Sequence, residues 1–193
     1  MKRLLLILIL TLSFQSLSKA DDIRDFQIEG MSIGDSLLDF FNEDEIKSNL
    51  NYKSYNWISQ KKFIDFELYN SQKLKMYEGV QITVKISDEK YLIHSIAAGI
   101  FYDQTIDVCY SDMKNIVNEL KDIFTNAKTE FDKKLDHPTG NGIALSSWFD
   151  IDGGSISVMC SDWNKDTEKN LGWTDNLRVE VRTNEFEEWL SYN

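Results

Sequence analysis

Asp162-Trp163-Asn164-Lys165-Asp166-Thr167-Glu168 sets an oxygen-bearing side chain at every second position. Such alternation matches the first part of a calcium loop, because calcium takes about six to eight hard oxygen ligands. Asp162, Asn164, Asp166 and Glu168 are therefore the candidate metal ligands. Thr167 stands where the turn needs Gly, and Trp173 stands where a bidentate Glu would close the shell. The other reading of the stretch is a polar loop whose Asp and Asn side chains make turns. Trp163 and Trp173 flank it, and rings beside acids can stack a sugar or a peptide, so both are candidate ligand-binding residues. Their alternative role is to close the core beneath a long loop.

Other chemistries find less to work with. There is no Gly-x-Ser-x-Gly, no His-x-x-x-His and no Cys-x-x-Cys, which speaks against a serine nucleophile of that type and against a zinc site. His94 falls inside a strand-like run and reads as a sheet residue; His137 sits beside Pro138 in a polar stretch. Acidic residues are many, and any two could serve as the carboxylate pair of a glycoside hydrolase. Their separation in space decides that chemistry, and the sequence selects no pair. No catalytic residue is assigned.

Where the chain goes is better marked. Lys2 and Arg3 precede the apolar run Leu4 to Leu12, and Ser18-Lys19-Ala20 follows, the pattern of a secretory signal peptide over residues 1–20. The apolar run is shorter than the roughly 20 residues of a spanning helix, and the sequence offers no second run long enough to cross a membrane. A periplasmic or extracellular location is expected. Cleavage removes Lys2, Arg3 and Lys19 and no acid, so the net charge of −11 becomes −14. A polyanion such as nucleic acid would be repelled.

Export places Cys109 and Cys160, the only two cysteines, in an oxidising compartment where pairing is favoured. Asp107 to Phe124 carries Cys109, Met113, Ile116, Val117, Leu120, Ile123 and Phe124 at three- and four-residue steps, the stripe of an amphipathic helix with Asp107 as its N-cap. Cys160 lies in a strand with Ile156 and Val158 on one face. Both thiols point to one core, and a disulfide between them is predicted.

The rest of the chain is read around that helix. Gly30 to Leu50 predicts two short helices, the first capped by Ser32 with Asp35 and the second by Asn42 with Glu45. Phe63 to Tyr69, Val80 to Ile86 and Tyr91 to Tyr102 alternate as strands, with Ala97, Ala98 and Gly99 suggesting a bulge or a close helix contact. Asp132 to Gly142 is a polar connector. Ile143 to Ile151 and Ser155 to Cys160 form a hairpin through Asp152-Gly153-Gly154. A last strand carries Leu177, Val179 and Val181, and Asn184 with Glu187 starts a terminal helix. The expectation is one α+β domain over residues 21–193, arranged ααβββ-αβββ-α with helices packed on antiparallel sheet. It is open to reading as two helix-then-meander pseudo-repeats, about 21–105 and 106–193.

Gly30-Met31-Ser32-x-x-Asp35-x-Leu37-Leu38-x-x-Phe41, leading from a helical hairpin into a meander, resembles the opening of the SmpA/OmlA-type outer-membrane-assembly lipoproteins. That resemblance covers the first half and implies a fold similar to β-lactamase inhibitor proteins and a non-catalytic, protein-binding role. No Cys stands for lipidation, and Phe41-Asn42-Glu43 replaces the family's turn through Gly and Pro, so membrane attachment does not carry over. Ile28 to Asp35, Cys109-Tyr110, and Asp175-Asn176-Leu177 leading to Glu185-Phe186 also resemble uncharacterised exported proteins of marine alphaproteobacteria, which implies periplasmic placement. The functional expectation is a non-catalytic binding protein for an envelope protein or a small ligand, without cofactor. Its alternatives are a small carboxylate-based hydrolase and a calcium-supported binder.

Overall fold

The computed structural model describes residues 22–103, 105–137 and 139–192; the expected signal peptide lies outside them. In chain order the elements are α1 (Glu43–Asn49), β1 (Leu50–Asn51), β2 (Phe63–Tyr69), β3 (Gly79–Lys85), β4 (Ile93–Tyr102), α2 (Ile106–Ile123), β5 (Lys128–Asp136), β6 (Gly142–Ile151), β7 (Gly154–Trp163), α3 (Lys165–Leu171), β8 (Asp175–Thr183) and α4 (Asn184–Ser191). The strands form one antiparallel sheet in the order β1-β2-β3-β4-β8-β7-β6-β5. From its central β4–β8 pair each half runs outward as a four-stranded meander preceded by a helix.

The α+β class is as expected, but the element count differs in four places, one of them the additional helix α3 between β7 and β8. Each half has four strands rather than three, because Leu50–Asn51 and Lys128–Asp136 pair at the two edges. Lys128–Asp136 overlaps the stretch expected to be a connector. Its charges suit an edge exposed to water, where lysines also discourage pairing with a further strand, and a register shift between Glu130 and Lys133 accompanies Asp132 at φ 52°. The first expected helix is only a 3-10 turn, Leu37–Asp39. Ser32 and Asp35 do pair reciprocally, Ser32 N with Asp35 Oδ2 at 2.8 Å and Asp35 N with Ser32 O at 3.2 Å. Backbone bonds from Gly34 N to Ile93 O and Leu37 N to Tyr91 O hold the segment against the start of β4 instead of letting it coil.

Two caps are also relocated. Thr105, not Asp107, caps α2, its Oγ1 accepting from Asp107 N at 3.3 Å; Asp107 sits in the first turn, where its charge still suits the helix dipole. Thr183 caps α4 by accepting from Phe186 N, and the Glu187 carboxylate accepts from Ser155 Oγ rather than closing a box onto Asn184. Asn42 caps α1 as expected, accepting from Glu45 N at 2.9 Å. The irregularity in β4 falls opposite Thr83 and Val84, not at Ala97 to Gly99. The β6–β7 hairpin turns through Asp152-Gly153, with Gly153 at φ 86° supplying the left-handed residue that such a turn requires.

One face of the sheet is the core. Leu177, Val179 and Val181 of β8 stand beside Ile96, Ala98 and Ile100 of β4 and Ile156, Val158 and Cys160 of β7. The stripe Cys109, Met113, Val117 and Leu120 of α2 packs there, joined by Ile28, Met31, Ile33, Leu37 and Ile46. Cys109 and Cys160 are bonded, with Cα atoms 6.0 Å apart and both side chains fully buried. The disulfide therefore ties the first turn of α2 to the middle of the sheet.

Candidate functional site

Alternation places the other residues of each strand on the opposite face, and this face divides into three zones. At one end Tyr55, Ile58, Phe63, Phe186 and Trp189 form a small aromatic core between the 51–62 loop and α4. Tyr55 and Phe63 meet Trp189 edge-on, at 5.0 Å and 5.1 Å between centroids, and Phe186 stacks on it. Trp189 Nε1 donates to Gln60 O at 2.9 Å, which fastens α4 to the loop.

The middle zone is a charged lattice. Glu180 Oε2 accepts from Arg178 Nε at 3.0 Å and from Arg182 Nη2 at 2.7 Å, while Oε1 accepts from Ser95 Oγ at 3.3 Å. Burial pushes the Glu180 pKa up, but the two guanidinium groups outweigh it and hold the carboxyl well below the usual carboxylate range. Next to it, Asp65 accepts from Tyr55 Oη at 2.8 Å, Thr83 Oγ1 at 2.7 Å and Gln81 Nε2 at 2.7 Å. Among the described residues no cation forms an ion pair with Asp65; burial wins against these three donors and pushes its pKa up to about 6. Burial, and then the Asp65 charge, raise the Tyr55 phenol above its ordinary value. Gln81 joins the two groups, since its Oε1 accepts from Arg178 Nη2 at 3.0 Å.

At the far end the face opens into a cleft of about 580 Å³. Register explains its floor. Tyr69, Gly79, Gly99, Arg178 and Met159 stand in one row across β2, β3, β4, β8 and β7. The two glycines carry no side chain, which lets Tyr69 and Arg178 lie low over the sheet. A Cβ on Gly79 would come within 2.5 Å of the Tyr69 ring, so that ring lies against the glycine. Arg178 lies across β4 above Ala97 and Gly99 to reach Gln81, and 35% of its side-chain surface remains accessible. Phe101, Trp163, Trp173 and His137 build the end wall, and Gln81, Asn176 and Ser161 supply polar atoms. Trp163 packs at 4.6 Å from Trp173 and 4.2 Å from His137, and its Nε1 donates to Thr174 O at 3.1 Å. Burial lowers the His137 pKa. None of the lining residues is Asp or Glu.

The sequence candidates fall out as follows. Trp163 and Trp173 line the cleft together. Asp162 is the penultimate residue of β7, whereas Asp166 and Glu168 lie in α3, a helix where a calcium loop or a turn-rich loop was expected. Asn164 caps that helix, its Oδ1 accepting from Thr167 N at 2.9 Å. Gly172 at φ 67° ends it. Among the described residues no group of three or more His, Cys, Asp and Glu side chains is placed to hold a metal ion. Asp162 and Glu168 are close enough to Asp175 to add to its raised pKa, which burial chiefly causes, and Asp175 accepts from Trp163 N at 2.9 Å. His94 lies between Phe63 and Glu185, against the aromatic core and away from the cleft.

Arg178, Gln81, Tyr69 and Phe101 also line the cleft and belong to no sequence motif. A signal for Arg178 was present: the alternation that buries Leu177, Val179 and Val181 puts Arg178, Glu180 and Arg182 together on the other face. No protein family, no curated protein and no solved structure matches the chain.

Proposed function

We propose that the chain is exported to the periplasm or beyond and acts there as a non-catalytic binding protein, with the cleft over Gly79 and Gly99 as its ligand site. One observation carries the reading: in a chain of net charge −11, the cleft has no carboxylate and holds an arginine at its floor. Stray acids would be expected there if the surface were merely a solvated face. The buried Cys109–Cys160 bond supports an oxidising destination, and among the described residues no helix is long and apolar enough to cross a membrane.

The same lining counsels against a paired-carboxylate hydrolase, which needs two carboxyl groups facing one cleft. The Asn164 side-chain oxygen is already engaged with Thr167 N, which favours a site that works without calcium. Thermal melting of the oxidised protein tests the reading, first with chelator and calcium, then with sugars, amino acids, peptides and aromatic acids. A ligand at about a hundredfold its dissociation constant adds about 2.7 kcal/mol and raises the midpoint by several degrees. A shift with one organic class and none with calcium is the expected result. If no compound moves the midpoint and an envelope extract yields no reproducible partner, the binding reading fails.

A further inference from the structure

Resting on the cleft reading, we infer that the ligand is a small molecule joining a flat apolar ring to a single carboxylate, the carboxylate facing Arg178 and the ring facing the Trp163–Trp173 wall. The charge follows from Arg178. Its Nε and one Nη2 hydrogen are held by Glu180 and Gln81 at 3.0 Å each, which fixes the guanidinium plane. Among the described residues no hydrogen bond takes up Nη1. A planar fork with a free edge, held in place beforehand, is the geometry that receives a carboxylate through paired N–H donors.

The number of charges follows from what is missing around that arginine. The lining has no lysine, no second arginine and no helix N-terminus. A phosphate dianion would meet only one cation there, and Arg182 is already spent on Glu180. A singly charged planar group balances the site.

The ring follows from the low floor and the aromatic walls. With no side chain on Gly79 or Gly99, the Tyr69 ring and Arg178 lie low on the sheet as the cleft's floor, and Phe101, Trp163 and Trp173 present rings at its end. A shallower depression shares Phe101, Trp163, Trp173 and Asn176, so the wall is accessible from two sides. Uncharged sugars fit less well, because the carboxylates that commonly hold their hydroxyls are absent from the lining.

Isothermal titration with indole-3-acetate and its neutral amide, indole-3-acetamide, tests this directly. The acid is expected to bind at least tenfold tighter than the amide. Arg178→Gln should abolish that preference, the acid losing at least tenfold more affinity than the amide. Because Arg178→Gln also removes one of Glu180's two cations, Arg178→Lys is the second variant: it keeps the charge, and it should retain part of the preference. Equal binding of acid and amide would overturn the ligand class and leave the cleft standing. If neither compound binds while another organic class shifts the melting midpoint, the ligand class is overturned and the cleft reading stands; if nothing shifts it, both fall. An acid preference that survives in Arg178→Gln would mean that Arg178 does not receive the carboxylate.

Discussion

Arg178 on β8 crosses over β4 to place its Nη2 3.0 Å from Oε1 of Gln81 on β3. The crossing is possible because Ala97 and Gly99 offer no side chain tall enough to block it. It couples the cleft to the lattice of buried charge behind it, where Gln81 turns its amide nitrogen to Asp65 and its oxygen to Arg178. Several consequences are measurable.

Glu180 neutralises two guanidinium groups with one carboxylate and is 5% exposed. Glu180→Gln keeps the volume but removes the carboxylate that both cations share. Removing one partner of a buried ion pair costs about 3–5 kcal/mol. Urea unfolding at neutral pH should show a loss in that range, together with weaker ligand binding as Arg178 comes loose. A loss below about 1 kcal/mol would mean that the lattice behaves as a solvated surface pair.

Asp65 has the opposite sign. Its pKa is raised from 3.8 to about 6, so the folded protein keeps a proton that the unfolded chain has released. The associated stability is fully present below the ordinary carboxylate pKa and is lost as pH rises through about 6, at most about 3 kcal/mol. Glu180, with its lowered pKa, contributes stability that is lost as pH falls, and the two partly cancel in a bulk melt. A carboxyl-carbon NMR titration separates them and should place the Asp65 midpoint near 6. An Asp65 midpoint under 4 would contradict this account.

The disulfide closes a loop of 51 residues' separation. The conformational entropy it removes from the unfolded chain corresponds to about 4 kcal/mol. Cys109→Ser with Cys160→Ser should lower stability by an amount of that order. Since both sulfurs are fully buried, reductant should act on the native protein only after unfolding. Rapid thiol exchange in the native state would show that the bond is reached from outside.

Gly79→Ala sets a Cβ where the Tyr69 ring now lies, 2.5 Å from its nearest carbon. Tyr69 is 54% exposed, so the ring can swing away and the melting temperature should change little. The cleft floor loses that ring, and affinity for a ring-bearing ligand should drop several-fold. Unchanged affinity would remove Tyr69 from the site.

Much of the scaffold was legible in the sequence because single-residue periodicity encodes it. The α2 stripe, the alternation of β2, β3 and β8, the Asp152-Gly153 turn and the pairing of Cys109 with Cys160 all rest on local pattern and on chemistry. Strand β5 was not legible: Lys-Thr-Glu-Phe-Asp-Lys-Lys-Leu-Asp carries no apolar alternation, because an edge strand exposed on both faces needs none. Helix α3 was hidden by the alternate spacing of Asp162, Asn164, Asp166 and Glu168, where a capping asparagine and the acids of a first helical turn look like a ligand loop. The cleft was half visible. Trp163 and Trp173 stand out by composition, but the row Tyr69, Gly79, Gly99 and Arg178 exists only through strand register, which brings together four residues from four strands.

The most direct test of the cleft uses the five tryptophans at positions 57, 148, 163, 173 and 189. Their indole N–H signals can be followed in nitrogen-15 NMR while indole-3-acetate is added to the oxidised protein. Trp163 and Trp173 line the cleft, whereas Trp189 lies in the aromatic core at the other end of the face and Trp57 stands exposed on the loop beside it. The account predicts saturable shifts at Trp163 and Trp173 with Trp57 and Trp189 unmoved, and saturation of those shifts only at about tenfold or more higher indole-3-acetate in Arg178→Gln. Shifts centred on Trp57 or Trp189, or no shift at any of the five, would contradict it.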